Sequence, residues 1–387
     1  MELIAIADDA TGALEIGAHL ANAHIRSMVS TRGAAFVDRT ALVADTETRH
    51  VSAPLAGRRV AHIARRARIL GVPHVYKKTD STLRGNIGPE FRALLRVFTG
   101  HTLVYVPAYP KLGRTVIGGV LRIDGKPLSE TAFAADRLNP SKESSIPRLL
   151  HDSIGESVAV ARAGDELGDF DARVIVCDSE SDADLERAAM ALARFERPVL
   201  VAGTGGFASY WARAIPVTRG FEAPSRDPAR RVLICSGSLH PVSARQLEFA
   251  RKSGLAVHYL ETDARADESI ERSLVESIAE GGWVALAVSR TAQGEPQEIA
   301  RRLGIIASRA AKWVGADALV VFGGDTVFAI LSALGVNAIE PRGEVLPGVP
   351  ASAIALRGRT VQLVTKAGGF GEPDILEVIR RHLESAA

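Results

Sequence analysis

Leu3-Ile4-Ala5-Ile6-Ala7-Asp8-Asp9-Ala10-Thr11-Gly12 carries the chain from a strand-length apolar run, through two adjacent carboxylates, into an alanine-rich stretch. The run is too short to cross a membrane and lacks the basic flank and small-residue cleavage site of a secretory signal, so it reads as a first strand. Thr11 to Ala23 then shows helical spacing of apolar residues. The same step recurs downstream. Strand-like runs at Ser27 to Ser30, Ala41 to Ala44, His74 to Tyr76, Thr102 to Val106, Arg173 to Cys177 and Val199 to Ala202 are joined by stretches that include helical ones at Pro54 to Leu70 and Asp182 to Phe195. Such alternation predicts helices packed on a mainly parallel sheet. Tyr109 to Pro147, rich in Gly, Pro and charge, is expected to leave that sheet as an extended excursion.

A chain of 387 residues is long for one core, and two domains are expected. The composition shifts at Ile215 to Arg230, where Pro216, Pro224 and Pro228 stand among charged and small residues. This places a domain over 1–218, a linker over 219–230 and a second domain over 231–387. In the second domain, strands are expected at Val232 to Cys235, Ala256 to Tyr259, Trp283 to Val288, Ala318 to Phe322 and Val361 to Thr365. Helices are expected at Val242 to Ser253, Ser269 to Ala279, Glu295 to Val314, Val327 to Ala333 and Asp374 to Leu383. The fold class is α/β: two domains, each with a mainly parallel sheet flanked by helices.

Composition narrows the function. A formal net charge of +2 from 47 basic and 45 acidic residues leaves no electrostatic footprint for nucleic acid, and 5% aromatics offer few base-stacking platforms. Cys177 and Cys235 each sit in an apolar run and read as small buried hydrophobes, not as a disulfide or zinc site. No stretch approaches the roughly 20 apolar residues of a membrane span. The expected location is the cytoplasm.

Lys77 to Asn86, KKTDSTLRGN, concentrates Lys77, Lys78, Asp80 and Arg84 directly after an apolar run. A loop so charged is buried only if its charges pair with one another or bind something. The lysines carry extra weight, because the chain has eight lysines against 39 arginines. Lys is a compact point charge suited to a phosphate or carboxylate oxygen. Pairing within the protein and binding of a small anion are the two readings open here.

Three glycine-rich turns mark the second domain: Ser236-Gly237-Ser238, Gly323-Gly324-Asp325-Thr326, and Ala367-Gly368-Gly369-Phe370-Gly371 with Thr365-Lys366 before it. Each follows a predicted strand and precedes a predicted helix, so in an open parallel sheet all three lie at the carboxyl edge. Glycine admits close backbone approach, and helix-start amides favour phosphate. Each turn is also what any sharp strand-to-helix step requires. Neither a G-x-x-x-x-G-K-[ST] nor a G-x-G-x-x-G pattern occurs. In the first domain, Asp8 and Asp9 occupy the matching edge. Capping uses one carboxylate at most, which leaves the other for sugar hydroxyls, a proton or a cation.

Seven motifs in register resemble those of the four-carbon acid sugar kinase family. They are Ile6-Ala7-Asp8-Asp9-Ala10-Thr11-Gly12-Ala13, KKTDSTLRGNIGPE from Lys77, Pro107-Ala108-Tyr109-Pro110 with Gly113-Arg114-Thr115, and Ser236-Gly237-Ser238. Gly323-Gly324-Asp325-Thr326, Pro347-Gly348-Val349-Pro350 and Thr365-Lys366-Ala367-Gly368-Gly369-Phe370-Gly371 complete the set. The resemblance spans nearly the whole chain. It implies a kinase that uses ATP and Mg²⁺ to phosphorylate a hydroxyl of a small sugar acid such as threonate or erythronate. It further implies an amino-terminal substrate domain, a carboxyl-terminal nucleotide domain, and an active site in the cleft between them.

By that resemblance Asp9 and Asp80 are the catalytic candidates, and Asp8, Lys78, Arg84 and Glu15 are the acid-sugar ligands. Arg84 would clamp the carboxylate, as a bidentate fork does. Ser236, Gly237, Ser238, Gly323, Gly324, Asp325, Thr326, Lys366, Gly368 and Gly369 are the nucleotide candidates. Metal ligands are not assigned. Asp325 stands where the family often has Glu, Ala367 where Ser is common, and Leu14-Glu15-Ile16-Gly17 where N-D-T-G is common. The last change gives a tighter, less polar pocket. The rivals are a sugar-acid phosphatase with an aspartyl nucleophile, for which Asp9-Ala10-Thr11 has the wrong spacing, and a non-catalytic acid-sugar or nucleotide sensor. A homodimer is compatible with all of these.

Overall fold

The computed structural model describes residues 1–31, 39–135, 140–279 and 282–385. The chain divides into two compact units, Met1–Phe221 and Glu222–Ala387. Each side of the division is tied to its own unit. Phe221 N donates to His24 O and Thr218 N to Glu2 Oε2; Arg226 Nη2 donates to His382 O, and Gln362 Nε2 to Asp227 O.

In the first unit, strands β1 (Leu3–Ala7), β2 (Ser27–Ser30), β3 (Ala41–Asp45), β4 (His74–Lys78) and β5 (Thr102–Val106) precede a small antiparallel sheet of β6 (Arg114–Ile117), β7 (Val120–Ile123) and β8 (Lys126–Pro127). Strands β9 (Val158–Ala161), β10 (Val174–Cys177) and β11 (Val199–Gly203) follow. The main sheet runs β2-β3-β1-β4-β11-β5-β10-β9, with every pairing parallel. Its helices are α1 (Ala10–Asn22), α2 (Ala53–Ile69), α3 (Ile87–Val97), α4 (Ile146–Ile154), α5 (Asp182–Ala193) and α6 (Gly205–Ala214). All five residues of β1, β3 and β5 are buried, as strands covered by helices on both faces must be. The chain adds β2 and β3 on one side of β1 and β4 on the other, and the carboxyl ends of strands at such a switch are where open parallel sheets take ligands.

The second unit holds β12 (Val232–Ser236), α7 (Pro241–Lys252), β13 (Ala256–Leu260), α8 (Asp267–Ala279), β14 (Trp283–Val288), α9 (Pro296–Val314), β15 (Ala318–Phe322) and α10 (Gly324–Leu334). A β-meander, β16 (Ala338–Leu346), β17 (Val349–Leu356) and β18 (Arg359–Lys366), and helix α11 (Ile375–Glu384) complete it. Strand order is β13-β14-β12-β15-β18-β17-β16, parallel from β13 to β18 and antiparallel across β17 and β16. Here the order reverses between β12 and β15. A core including Val232, Ile234, Val320, Phe322, Val364, Ile375 and Ile379 joins sheet and helices.

Both units are therefore α/β with mainly parallel sheets. The expected strands stand within one residue at each end, except that β4 continues through Lys77 and Lys78 and β18 begins at Arg359. The excursion contains β6 to β8, and its positions 136–139 lie outside the described residues. The pattern did not reveal α3, α4, α6, β9, β16 or β17. Both cysteines are buried and free, and burial pushes the Cys177 thiol up to about 12. Among the described residues no helix is long and apolar enough to cross a membrane.

Candidate functional site

The carboxyl edge of the first sheet gathers charge from three neighbouring strands. Asp8 and Asp9 follow β1, Asp45 ends β3, and Lys77 and Lys78 end β4. Asp9 is the N-cap of α1, its Oδ1 accepting from Gly12 N at 2.8 Å. Between the strands stands Arg49, which the sequence did not single out. Its Nε donates to Asp8 Oδ2 at 2.8 Å, its Nη1 to Asp9 Oδ2 at 2.7 Å, and its Nη2 lies 3.7 Å from Asp80 Oδ2. Burial works against the charge on Arg49, but Asp8, Asp9 and Asp80 hold its pKa well above the ordinary value. Burial likewise opposes ionisation of Asp8, and Arg49, Lys77 and Lys78 more than offset it, so its pKa is lowered. Among the described residues no cation plays that part for Asp45. Burial, Glu47 and Asp9 push its carboxyl well above the carboxylate range.

Asp80 sits in a hydrogen-bonded ring. Its Oδ1 accepts from Thr82 N at 2.9 Å, Thr82 Oγ1 at 2.5 Å and Arg84 Nε at 3.0 Å, and its Oδ2 accepts from Arg84 Nη2 at 2.7 Å. Although burial favours the neutral acid, Arg84, Arg49 and Thr82 hold its pKa well below the carboxylate range. So depressed an acid is a poor general base. The bidentate fork expected to clamp a ligand is thus engaged by Asp80.

Lys77 and Lys78 part company because successive strand residues face opposite sides. Lys77, fully buried, pairs with Glu90 of α3 at 2.9 Å and donates to Lys78 O at 2.7 Å. It is a structural lysine. Lys78 Nζ donates to Thr79 O at 3.1 Å and lies 3.7 Å from Glu15 Oε2. Glu15 Oε1 in turn accepts from Tyr109 OH at 3.2 Å. Glycines leave room for this group: a Cβ at Gly205 would stand 1.9 Å from the Glu15 carboxyl carbon, and one at Gly12 only 2.7 Å from Asp9 Oδ1 and 2.9 Å from Lys78 Nζ, so either would displace these side chains. Asp8, Asp9, Glu15, Lys78, Asp80 and Arg84 are thus brought to one edge. Among the described residues no group of three or more His, Cys, Asp or Glu is arranged to hold a metal ion.

In the second unit the three glycine turns follow β12, β15 and β18, which lie side by side, so the turns are neighbours. Gly323, at φ 97°, makes the sharp step into α10 that only glycine takes without strain. A Cβ at Gly237 would fall 2.3 Å from Thr326 Oγ1, and one at Gly368 would fall 2.1 Å from Ser238 Oγ. These two glycines let the turns close on one another. Ser236 is buried at the end of β12, whereas Asp325 and Gly369 are exposed. The Pro347-Gly348 corner of the β16–β17 hairpin braces the third turn, since a Cβ at Gly348 would meet the Phe370 ring at 2.9 Å. Lys366 departs from expectation. It is fully buried beneath its turn, donating to Ala367 O at 2.9 Å and Gly368 O at 3.3 Å, with its ammonium 4.2 Å from the Phe322 ring centre.

Residues 3–211 match the family described as a sugar-binding N-terminal domain, and residues 233–376 match the nucleotide-binding C-terminal domain. The chain is 33% identical to a D-threonate kinase of Bordetella bronchiseptica, over 96% of this chain and 95% of that one. It is 27% identical to a D-erythronate kinase of Heliobacterium modesticaldum, over 96% and 94% respectively. A Bordetella bronchiseptica protein solved with bound citrate as a domain-swapped dimer superposes with a TM-score of 0.51 at 29% identity, covering 99% of each chain. The edge of buried, cross-paired charge and the three interlocked glycine turns are accordingly features of a chain that belongs to the four-carbon acid sugar kinase family.

Proposed function

We propose that this protein transfers the γ-phosphoryl group of ATP to a hydroxyl of a small sugar acid such as threonate or erythronate. The amino-terminal unit would take the acid and the carboxyl-terminal unit the nucleotide. The observation that carries the proposal is the juxtaposition of the three glycine turns on adjacent parallel strands, in a unit separate from the one bearing Asp9, Lys78 and Arg49. The turns fit a polyphosphate: Gly237 and Gly368 stand where a side chain would clash, and the backbone is what remains to meet a ligand.

On this reading Asp9 orients or deprotonates the attacking hydroxyl. Its carboxylate is fixed by Gly12 N and Arg49, whereas Asp80 is saturated by Arg84, Thr82 and Arg49 and keeps the loop in shape. Lys78 and the outer edge of Arg84 meet the acid's carboxylate, and Glu15 with Tyr109 bounds the pocket. Mg²⁺ would neutralise the phosphate oxygens, and it characteristically binds through phosphates, water and one or two carboxylates. Asp325, exposed on the second turn, is the residue proposed to face it. Phosphoryl transfer then asks the protein for alignment and charge compensation. The aspartyl-nucleophile phosphatase is disfavoured by Asp9-Ala10-Thr11, which offers no acid two positions on from Asp9. A homodimer in the cytoplasm is part of the proposal.

Gly12→Ala isolates the acid half. It gains helix propensity of up to about 1 kcal/mol, yet its Cβ intrudes between Asp9 and Lys78. kcat/KM for the acid is expected to fall at least ~10-fold, with KM for ATP unchanged, because small displacements of aligned groups cost rate steeply. A wild-type kcat/KM for the acid would remove Asp9 and Lys78 from the site. The whole proposal is tested by an ADP-release screen with Mg²⁺, ATP and three- to six-carbon sugar acids, including the threonate and erythronate stereoisomers. ADP formation that depends on one of these acids supports it. Phosphate release from sugar phosphates without nucleotide, or acid binding with no turnover, overturns it.

A further inference from the structure

We infer that Lys366 is a positioning residue of the nucleotide half-site, one that turns the amides of Gly368 and Gly369 outward by holding the carbonyls of their peptides from beneath. The inference rests on the nucleotide-binding reading of this unit and adds a role that a surface phosphate ligand would not have. In a trans peptide the C=O and the next residue's N–H point in opposite directions, and no described peptide bond is cis. Ala367 O and Gly368 O both accept from Lys366 Nζ, at 2.9 and 3.3 Å, and Gly368 O also accepts from Ser243 Oγ at 2.6 Å. The amides of Gly368 and Gly369 are thereby aimed away from the core. Gln246 extends the same capture to Phe370 O, Gly371 O and Glu372 O, at 2.8 to 3.0 Å. Lys366 also couples this turn to its neighbour, since its own carbonyl accepts from Gly323 N at 3.0 Å.

The result is an amide nest with a cation buried behind it. Two peptide dipoles lie between the ammonium and the solvent side, oriented so that its charge reinforces both, and an anion docked on the amides gains from all three. The Phe322 ring of β15 covers the ammonium, and from the α7 side the titratable neighbour is His240, whose protonation Lys366 and Arg245 both oppose after the effect of burial. Burial lowers the Lys366 pKa to about 7, so in the absence of ligand the ammonium is only partly protonated near neutrality. A bound diphosphate restores the charged form. Nucleotide binding is therefore accompanied by proton uptake, and affinity falls as pH rises above 7.

Calorimetric titration of the full chain with MgADP, in buffers of different ionisation enthalpy, tests this directly. With a free-state pKa of about 7, wild type at pH 7.5 should take up as much as ~0.7 proton per ADP more than Lys366→Met does. Lys366→Met should bind ADP at least ~10-fold more weakly, with Lys366→Gln, which can still donate to carbonyls, lying between them. In turnover, KM for ATP should rise more than kcat falls. ADP binding by a folded Lys366→Met or Lys366→Gln as tight as that of wild type overturns the inference, and wild-type binding with no proton uptake overturns its coupling to Lys366 protonation. Uptake that persists in Lys366→Met and disappears in His240→Asn overturns it as well. Failure of wild type to bind ADP at any pH would instead overturn the nucleotide reading on which the inference rests.

Discussion

Arg49→Met is expected to lower kcat/KM by about 10³-fold and to destabilise the first unit by about 3–5 kcal/mol, the range for an ion network broken on one side. Three carboxylates converge on this guanidinium, and removing it leaves Asp8 with only the more distant charges of Lys77 and Lys78. The sign of the pH effect follows. Asp8 and Asp80 have depressed pKa values in the folded state, so they add stability above the unfolded carboxylate value near 4, and it is lost as pH falls through the lower folded values. Without Arg49 the folded value of Asp8 rises, and acid unfolding begins at higher pH. Urea unfolding between pH 3 and 8 measures both effects. Arg49→Lys should recover only part of each, because a point charge does not reproduce the fork. A Met variant as active and acid-resistant as wild type would mean that Arg49 organises nothing.

Glu90→Ala should cost a similar 3–5 kcal/mol, for a different reason and with a different signature. Lys77 and Glu90 form a pair buried to 1% exposure or less, pinning α3 beneath β4. Removing the carboxylate strands a buried ammonium, whereas Lys77→Met with Glu90→Leu removes both charges and should regain most of the loss. KM for both substrates should stay near wild type in every variant that folds. A selective rise in KM for the acid would favour anion binding by Lys77 over pairing within the protein, the two readings its sequence neighbourhood left open.

The parallel sheets were legible because strands buried on both faces leave unbroken apolar runs, and because Asp8, Gly237, Gly323 and Gly368 punctuate their carboxyl ends. The misses have physical causes. Helix α3 begins at Ile87 straight after a charged loop, with Gly88 and Pro89 in its first turn, so its start read as more loop, and the side-chain amide of its N-cap Asn86 is engaged by Thr48 O and Val51 O. Strands β16 and β17 contain Pro341, Gly343 and Pro350 with register shifts, a composition that reads as loop. Arg49 was hidden among 39 arginines, although the run Asp45-Thr46-Glu47-Thr48-Arg49 after an apolar strand repeats the pattern that drew notice at Asp8. Lys77, Lys78 and Lys366 stood out by rarity, but rarity does not tell a ligand from a buried partner. Strand alternation separates Lys77 from Lys78 once β4 is extended by two residues, and the carbonyls of its own turn claim Lys366.

The most direct measurement is phosphorus NMR of a complete reaction of wild-type protein, MgATP and the sugar acid that best elicits ADP release. A phosphomonoester resonance absent from the controls, growing in step with ADP and only when the acid is present, is the expected result. Inorganic phosphate in its place, or an unchanged ATP spectrum with every acid of the class, would contradict phosphoryl transfer to a sugar acid.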